Sequence, residues 1–131
     1  MKHKEYKLQK SVCQYLRLQY PDVKFLSDAI SNVKLTIPQQ QRNKAIQAKG
    51  FHCPDLLILQ PNKDFCGLFI ELKIATPYKL NGDIKASGKD HLKKQLKTIE
   101  ELNQIGYKAL FAWDFDEIKE IIDTYLKNKL K

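Results

Sequence analysis

The chain has 131 residues, 43% of them hydrophobic, enough for one domain with a true core and too few for two. Lys+Arg outnumber Asp+Glu by 23 to 15, a formal net charge of +8, which points to a polyanionic partner, most simply nucleic acid, the alternative being a basic protein whose charge only keeps it soluble. No apolar run long enough for a membrane span and no signal peptide is found, and Cys13, Cys53 and Cys66 form neither an even set nor a CxxC pair, so an intracellular, cytoplasmic protein with reduced, mostly buried cysteines is expected.

His3 to Gln19 reads as a first helix, with Leu8, Val12, Tyr15 and Leu16 at helical spacing and Tyr20-Pro21-Asp22 ending it. One residue on its apolar face does not belong there. At about 100° per residue Glu5 falls between Val12 and Leu16, where a carboxylate needs a partner or a metal unless the helix end frays and leaves it beside the dipole's positive pole. Val23 to Ser27 is a short strand candidate and Ser31 to Ile37 a second, with Ser27-Asp28 as turn or site residues. Pro38 suits the first turn of a helix running to Lys49 with Gly50 as its stop. That helix is polar and basic, and is read either as a surface along DNA phosphates or as a solvated face.

Pro54 to Lys73 is the centre of the chain. Asp55 opens the apolar run Leu56 to Leu59, Gln60-Pro61-Asn62-Lys63-Asp64 is turn chemistry, and Leu68 to Ile74 alternates cleanly. Leu68, Ile70, Leu72 and Ile74 share one face; Phe69, Glu71 and Lys73 share the other. A hairpin over these two strands brings Asp55 beside Glu71. Two carboxylates meeting at one point repel unless a cation lies between them, and hard oxygen ligands suit Mg²⁺ or Mn²⁺. Lys73, two residues on, can hold a water or steady developing negative charge.

Beyond the strands, Asn81-Gly82 marks a hairpin carrying Tyr78, Lys79 and Lys85, read as an arm that grips a substrate or a second subunit, or as a plain surface excursion. Lys89 to Ile105 is the clearest helix, with Leu92, Leu96, Ile99 and Leu102 as its stripe and Gly106 as its end. Gln95 lies inside that stripe. It either meets the polar groups of a site or is satisfied by backbone or solvent at the stripe's edge. Lys108 to Trp113 is a strand, and Asp114 with Glu117 three residues on caps a last helix with Ile118, Ile121, Ile122 and Tyr125 inward. Helix, strands, helix, strand, helix gives a mixed α/β domain.

The order of these parts resembles the VRR-NUC domain, the virus-type replication and repair branch of the PD-(D/E)xK nucleases. The matching residues are Glu5 before Leu8, Lys49-Gly50 ahead of Pro54-Asp55-Leu56, Phe69-Ile70-Glu71-Leu72-Lys73, Gln95, and the tail with Gly106-Tyr107-Lys108-Ala109, Asp116-Glu117 and Ile121-Ile122. They span nearly the whole chain. The resemblance implies one nuclease domain over residues 1–131 with a restriction-endonuclease-like core, a mixed central sheet flanked by helices. It implies Glu5, Asp55, Glu71 and the Leu72 carbonyl as metal ligands, and Lys73 as the residue that orients the attacking water, supported by Gln95. It also implies a Mg²⁺- or Mn²⁺-dependent endonuclease acting as a homodimer on branched DNA such as Holliday junctions, in a phage or bacterial setting. The alternative is a non-catalytic nucleic-acid-binding module with a nuclease-like fold. Lys49, Lys79, Lys85 and Lys89 are candidate DNA contacts by position and charge. Two departures stand out: His52 replaces a glycine expected two residues before Pro54, and Ser27-Asp28 replaces an Asn expected after the first helix. His52 reads as a surface or turn residue, and His3 and His91 have no motif around them.

Overall fold

A computed structural model describes residues 2–27, 35–85 and 89–129, with the side chains of residues 2, 3, 89 and 90 excepted. The elements follow in the order α1 (Lys2–Gln19), β1 (Phe25–Ser27), α2 (Ile37–Ile46), β2 (Leu56–Ile58), β3 (Leu68–Leu72), α3 (Lys89–Gln104), β4 (Lys108–Ala112) and α4 (Phe115–Lys127). The strands form a mixed sheet in the order β1-β2-β3-β4, antiparallel across the first two pairings and parallel between β3 and β4. The parallel step is made through α3, as a crossover helix requires.

β3 is buried along its whole length and divides the interior. Leu68, Ile70 and Leu72 join Leu56, Ile58, Val12, Leu16, Ile118 and Ile122 in one cluster under α1 and α4. Phe69 faces the other way and packs with Leu92, Ile99, Leu102 and Phe111 under α3. Period-2 alternation thus separates two cores on one sheet. α1 is fixed to α4 by polar contacts as well as apolar ones: the Tyr15 and Tyr20 hydroxyls both donate to Asp123 Oδ1 at 2.5 Å.

The β2–β3 connection is closed by Asn62, which is buried and satisfied. Its Oδ1 accepts the Asp64 and Phe65 amides, and its Nδ2 donates to the Tyr125 carbonyl of α4. At the free edge of the sheet, Asn103 of α3 pairs with both backbone groups of Ala109, at 2.8 and 3.0 Å, which blunts part of an edge that could otherwise recruit another strand. Gly106, at φ +104, allows the turn out of α3.

Several boundaries differ from expectation. α2 starts one residue earlier, with Thr36 and Gln39 in a capping box, and stops at Ile46, because Gln47 turns extended. No residue of α2 is buried, so only local propensity and the cap hold it, and the expected extension to Lys49 has nothing to pack against. Gly50, at φ +76, sits beyond it in a turn closed by Phe51 N–H to the Ala48 carbonyl. Of the expected strand Ser31 to Ile37, residues 31–34 lie outside the described residues, as does Asp28, while Ile37 is helical. β3 ends at Leu72 rather than Ile74. The Asn81-Gly82 hairpin exists, with a Tyr78–Ile84 bridge. It does not hold Tyr78 out as an arm: that ring packs edge-on against Phe111 and Trp113. No disulfide joins Cys13, Cys53 and Cys66, but Cys53 and Cys66 are exposed and Cys13 half-buried, because two of the three fall in connections rather than on core faces.

Candidate active site

The antiparallel register pairs Leu56 with Ile70, so the residue before β2 meets the residue after Ile70. Asp55 and Glu71 are thereby neighbours on the α3 face of the sheet. Asp55 Oδ2 accepts the Leu72 amide at 2.8 Å, replacing the ladder bond that β2 is too short to supply. Within a strand residue, N–H and C=O point to the same edge. The Leu72 carbonyl therefore opens on the side where Asp55 sits, while Lys73 N–H pairs with the Ala112 carbonyl on the opposite edge.

Glu71 is 6% exposed. Burial first, then the hydrogen bond and charge of Asp55, raise its carboxyl well above the usual glutamate range, and Lys73 offsets this in part. Gln95, equally buried, is the hub of the polar network. Its Oε1 accepts from Lys73 Nζ at 2.7 Å, and its Nε2 donates to Glu71 Oε1 at 3.0 Å and lies 3.2 Å from His91 Nε2. The amide that interrupts the α3 stripe is thus held by site groups, not by backbone or solvent. With Gln95 Nε2 as donor, His91 Nε2 must be the acceptor, which requires a neutral ring. Burial, then Lys73, keep the His91 pKa below the ordinary value.

Glu5 stands at the mouth. Burial and the Asp55 charge raise its pKa, and Lys73 lowers it, so it lies within electrostatic reach of the site. Its helix is tethered there by Gln9 Nε2, which donates to Ser27 Oγ at 2.6 Å. Among the described residues no three His, Cys, Asp or Glu side chains are gathered closely enough to hold a metal ion as they stand. Asp55 and Glu71 form the converged pair, and Glu5 stands apart from it.

These groups lie in an open cleft of about 890 Å³ whose lining includes Glu5, Asp55, Glu71, Lys73, His91 and Gln95. Lys49, Lys79 and Lys85 lie outside that lining, exposed or half-exposed, and the Lys89 side chain is outside the described residues. His91 and His52, which belong to no motif, and Tyr6 and Phe51, which the sequence does not mark, also line the cleft. For His91 a signal existed, since it precedes Gln95 by one helical turn and so shares its face. His52 reaches the site through the fold: its backbone N–H donates to Thr98 Oγ1 and its ring meets His91 edge-on at 6.3 Å.

No family model and no curated protein matches the sequence. The structure is similar to that of a VRR_NUC domain protein, with a TM-score of 0.65 and 21% identity over 96% of this chain and 90% of the other. Identity at that level speaks to architecture alone, which in this chain is four helices about a mixed four-stranded sheet. The chain shares the fold of this VRR_NUC domain protein.

Proposed function

We propose that the protein is a divalent-metal-dependent deoxyribonuclease of PD-(D/E)xK type that hydrolyses DNA phosphodiester bonds. The observation that carries this reading is half-buried Asp55 against buried Glu71, with Glu71 bridged through Gln95 to Lys73. Two carboxylates held together with one of them buried repel unless a proton or cation is shared, and an all-oxygen donor set suits Mg²⁺ or Mn²⁺. Asp55, Glu71 and the Leu72 carbonyl would hold the ion, with Glu5 closing from α1. The ion would supply a Lewis acid for the phosphate and a lowered pKa for an attacking water.

The remaining work falls to the chain itself. Gln95 fixes the Lys73 ammonium beside Glu71, where it can orient the water and attract charge that develops on the phosphate oxygens. The water releases one proton to solvent as its oxygen adds to phosphorus, one P–O bond to a sugar breaks, and the departing oxygen takes up a proton from solvent, so that one water is consumed in all. Exposed lysines, Lys49 and Lys79 among them, attract the flanking backbone through a net charge of +8. Branched DNA such as Holliday junctions as substrate, a homodimer presenting two sites, and an intracellular phage or bacterial setting complete the proposal.

The test is a cleavage assay on duplex, single-stranded, flap and four-way-junction DNA with Mg²⁺, Mn²⁺ or EDTA, alongside Glu71→Ala and Lys73→Ala. Metal-dependent cutting lost in both variants, with DNA binding retained, is the expected result. Binding without cutting by the wild type would leave a non-catalytic nucleic-acid-binding module instead.

A further inference from the structure

We infer that the cleft wall formed by Tyr6, Leu26 and Phe51 is a subsite for an unpaired nucleobase next to the scissile phosphate; this rests on the nuclease reading and specifies the substrate that its site takes. The three residues come from α1, β1 and the connection after α2, and all line the cleft that contains Asp55 and Glu71. They are 55%, 57% and 36% exposed. An apolar wall converging from three elements is more than scattered surface hydrophobes.

Register explains how the wall arises. Leu26 pairs with Leu57, and both face the cleft on the side of the sheet that carries Asp55 and Glu71. α3 covers that side further along, where Leu57 packs against the Phe69 cluster. Leu26 lies beyond the cover, so the apolar face of the sheet runs out into the cleft that Tyr6 and Phe51 also line.

The composition of this wall selects among the parts of a nucleic acid. Among the described residues lining the cleft, Lys73 is the only lysine and there is no arginine, and Lys73 is engaged by Gln95. The wall therefore offers little to a phosphate chain. The same cleft is lined by Asn43 and Gln47, amides joined by a 3.2 Å hydrogen bond. Aromatic side chains with neighbouring amides match the faces and edges of a base. A paired base in a duplex has both faces stacked and cannot use such a wall. An unpaired one can, at a single-stranded stretch or a strand junction. The exposed cations Lys4, Lys7, Arg42 and Lys44 stand within two residues of Tyr6 or Asn43 in the chain and can attract phosphates of the same strand.

The test measures binding apart from cutting. In a Glu71→Gln background with EDTA, binding of fluorescein-labelled oligothymidylate and of a blunt duplex is compared for Tyr6, Phe51 and their variants. Phe51→Ala and Tyr6→Ala are each expected to weaken oligothymidylate binding about tenfold, the scale of one lost base–aromatic stack. Duplex binding and the salt dependence should change little, and Phe51→Trp should keep full affinity. Equal loss on both probes, or no loss on either, would overturn the subsite. So would conversion of a dimer to a monomer by Phe51→Ala without discrimination between the probes, which would make the wall an interface between copies of the chain. A wild type that cuts nothing while the selective loss persists would remove the nuclease reading and leave the subsite standing.

Discussion

Ile70 and Glu71 are adjacent residues of one five-residue strand, equally hidden from solvent, and they do opposite things. Ile70 and its face-mates Leu68 and Leu72 close a dry core under α1 and α4. Glu71 and Lys73 continue the Phe69 face to where the Gln95 amide of α3 meets both of them. The first face is what folding requires. The second holds a carboxylate against a carboxylate, an arrangement that opposes folding and is understandable only if something other than stability selected it.

Substituting one residue on each face should separate the two. Glu71→Gln keeps an acceptor for Gln95 and removes the like-charge contact with Asp55. The fold should therefore be unchanged or gain about 1 kcal/mol in denaturant unfolding, while cleavage falls by roughly a thousandfold or more as an ion ligand and its charge are lost. Ile70→Ala, one residue earlier, should show the reverse. A cavity at a fully buried site costs about 2–5 kcal/mol, yet the folded fraction at low temperature should still cut. A Glu71→Gln protein that is both badly destabilised and active would erase the distinction between the faces.

His91 sharpens the comparison on the polar side. Its imidazole accepts from Gln95, and Gln95 in turn holds both Lys73 and Glu71, so His91→Ala should let the amide rotate. Loss of such supporting contacts costs about tenfold or more in activity. The expected pattern is a lower kcat at saturating DNA with KM and thermal stability little changed, and His91→Asn, which can still accept from Gln95, should recover part of the rate. An unchanged kcat in His91→Ala would mean that Lys73 and Glu71 alone keep Gln95 in place.

The two faces were not equally legible in the sequence. Alternation from Leu68 to Lys73 announces the strand, its two environments and the meeting with Asp55, because period-2 patterning and a short turn leave almost no freedom in register. Gln95 announces itself as a polar misfit in the apolar stripe of α3. His91, one turn before Gln95 and on its face, gives a fainter sign, since an exposed histidine on a helix is ordinary until Gln95 is known to need a partner. Tyr6, Leu26 and Phe51 are invisible as a group, because three elements distant in sequence bring them together. The end of α2 is missed for a related reason: a helix that buries nothing has no apolar period to show where it stops.

The smallest expected effect concerns how α1 is held, and so how Glu5 and Tyr6 reach the cleft. Asp123 on α4 accepts from Tyr15 of α1 and from Tyr20 just beyond its end. Burial works to raise its pKa, but the two phenol donors and the nearby Lys127 and Lys119 outweigh it and hold the carboxyl below its ordinary value of 3.8. A carboxyl depressed in the folded state adds stability that is present above its unfolded pKa and is lost as pH falls through the folded one. Asp123→Asn keeps an oxygen acceptor and loses the charge, so at neutral pH it should cost about 1 kcal/mol, the difference between charge-assisted and neutral hydrogen bonds. That deficit should shrink as pH is lowered below about 4, the range in which wild-type Asp123 takes up its proton. A deficit that stays constant down to strong acid would mean that packing at the α1–α4 seam carries the contact, and that the charge contributes nothing to placing α1 over the site.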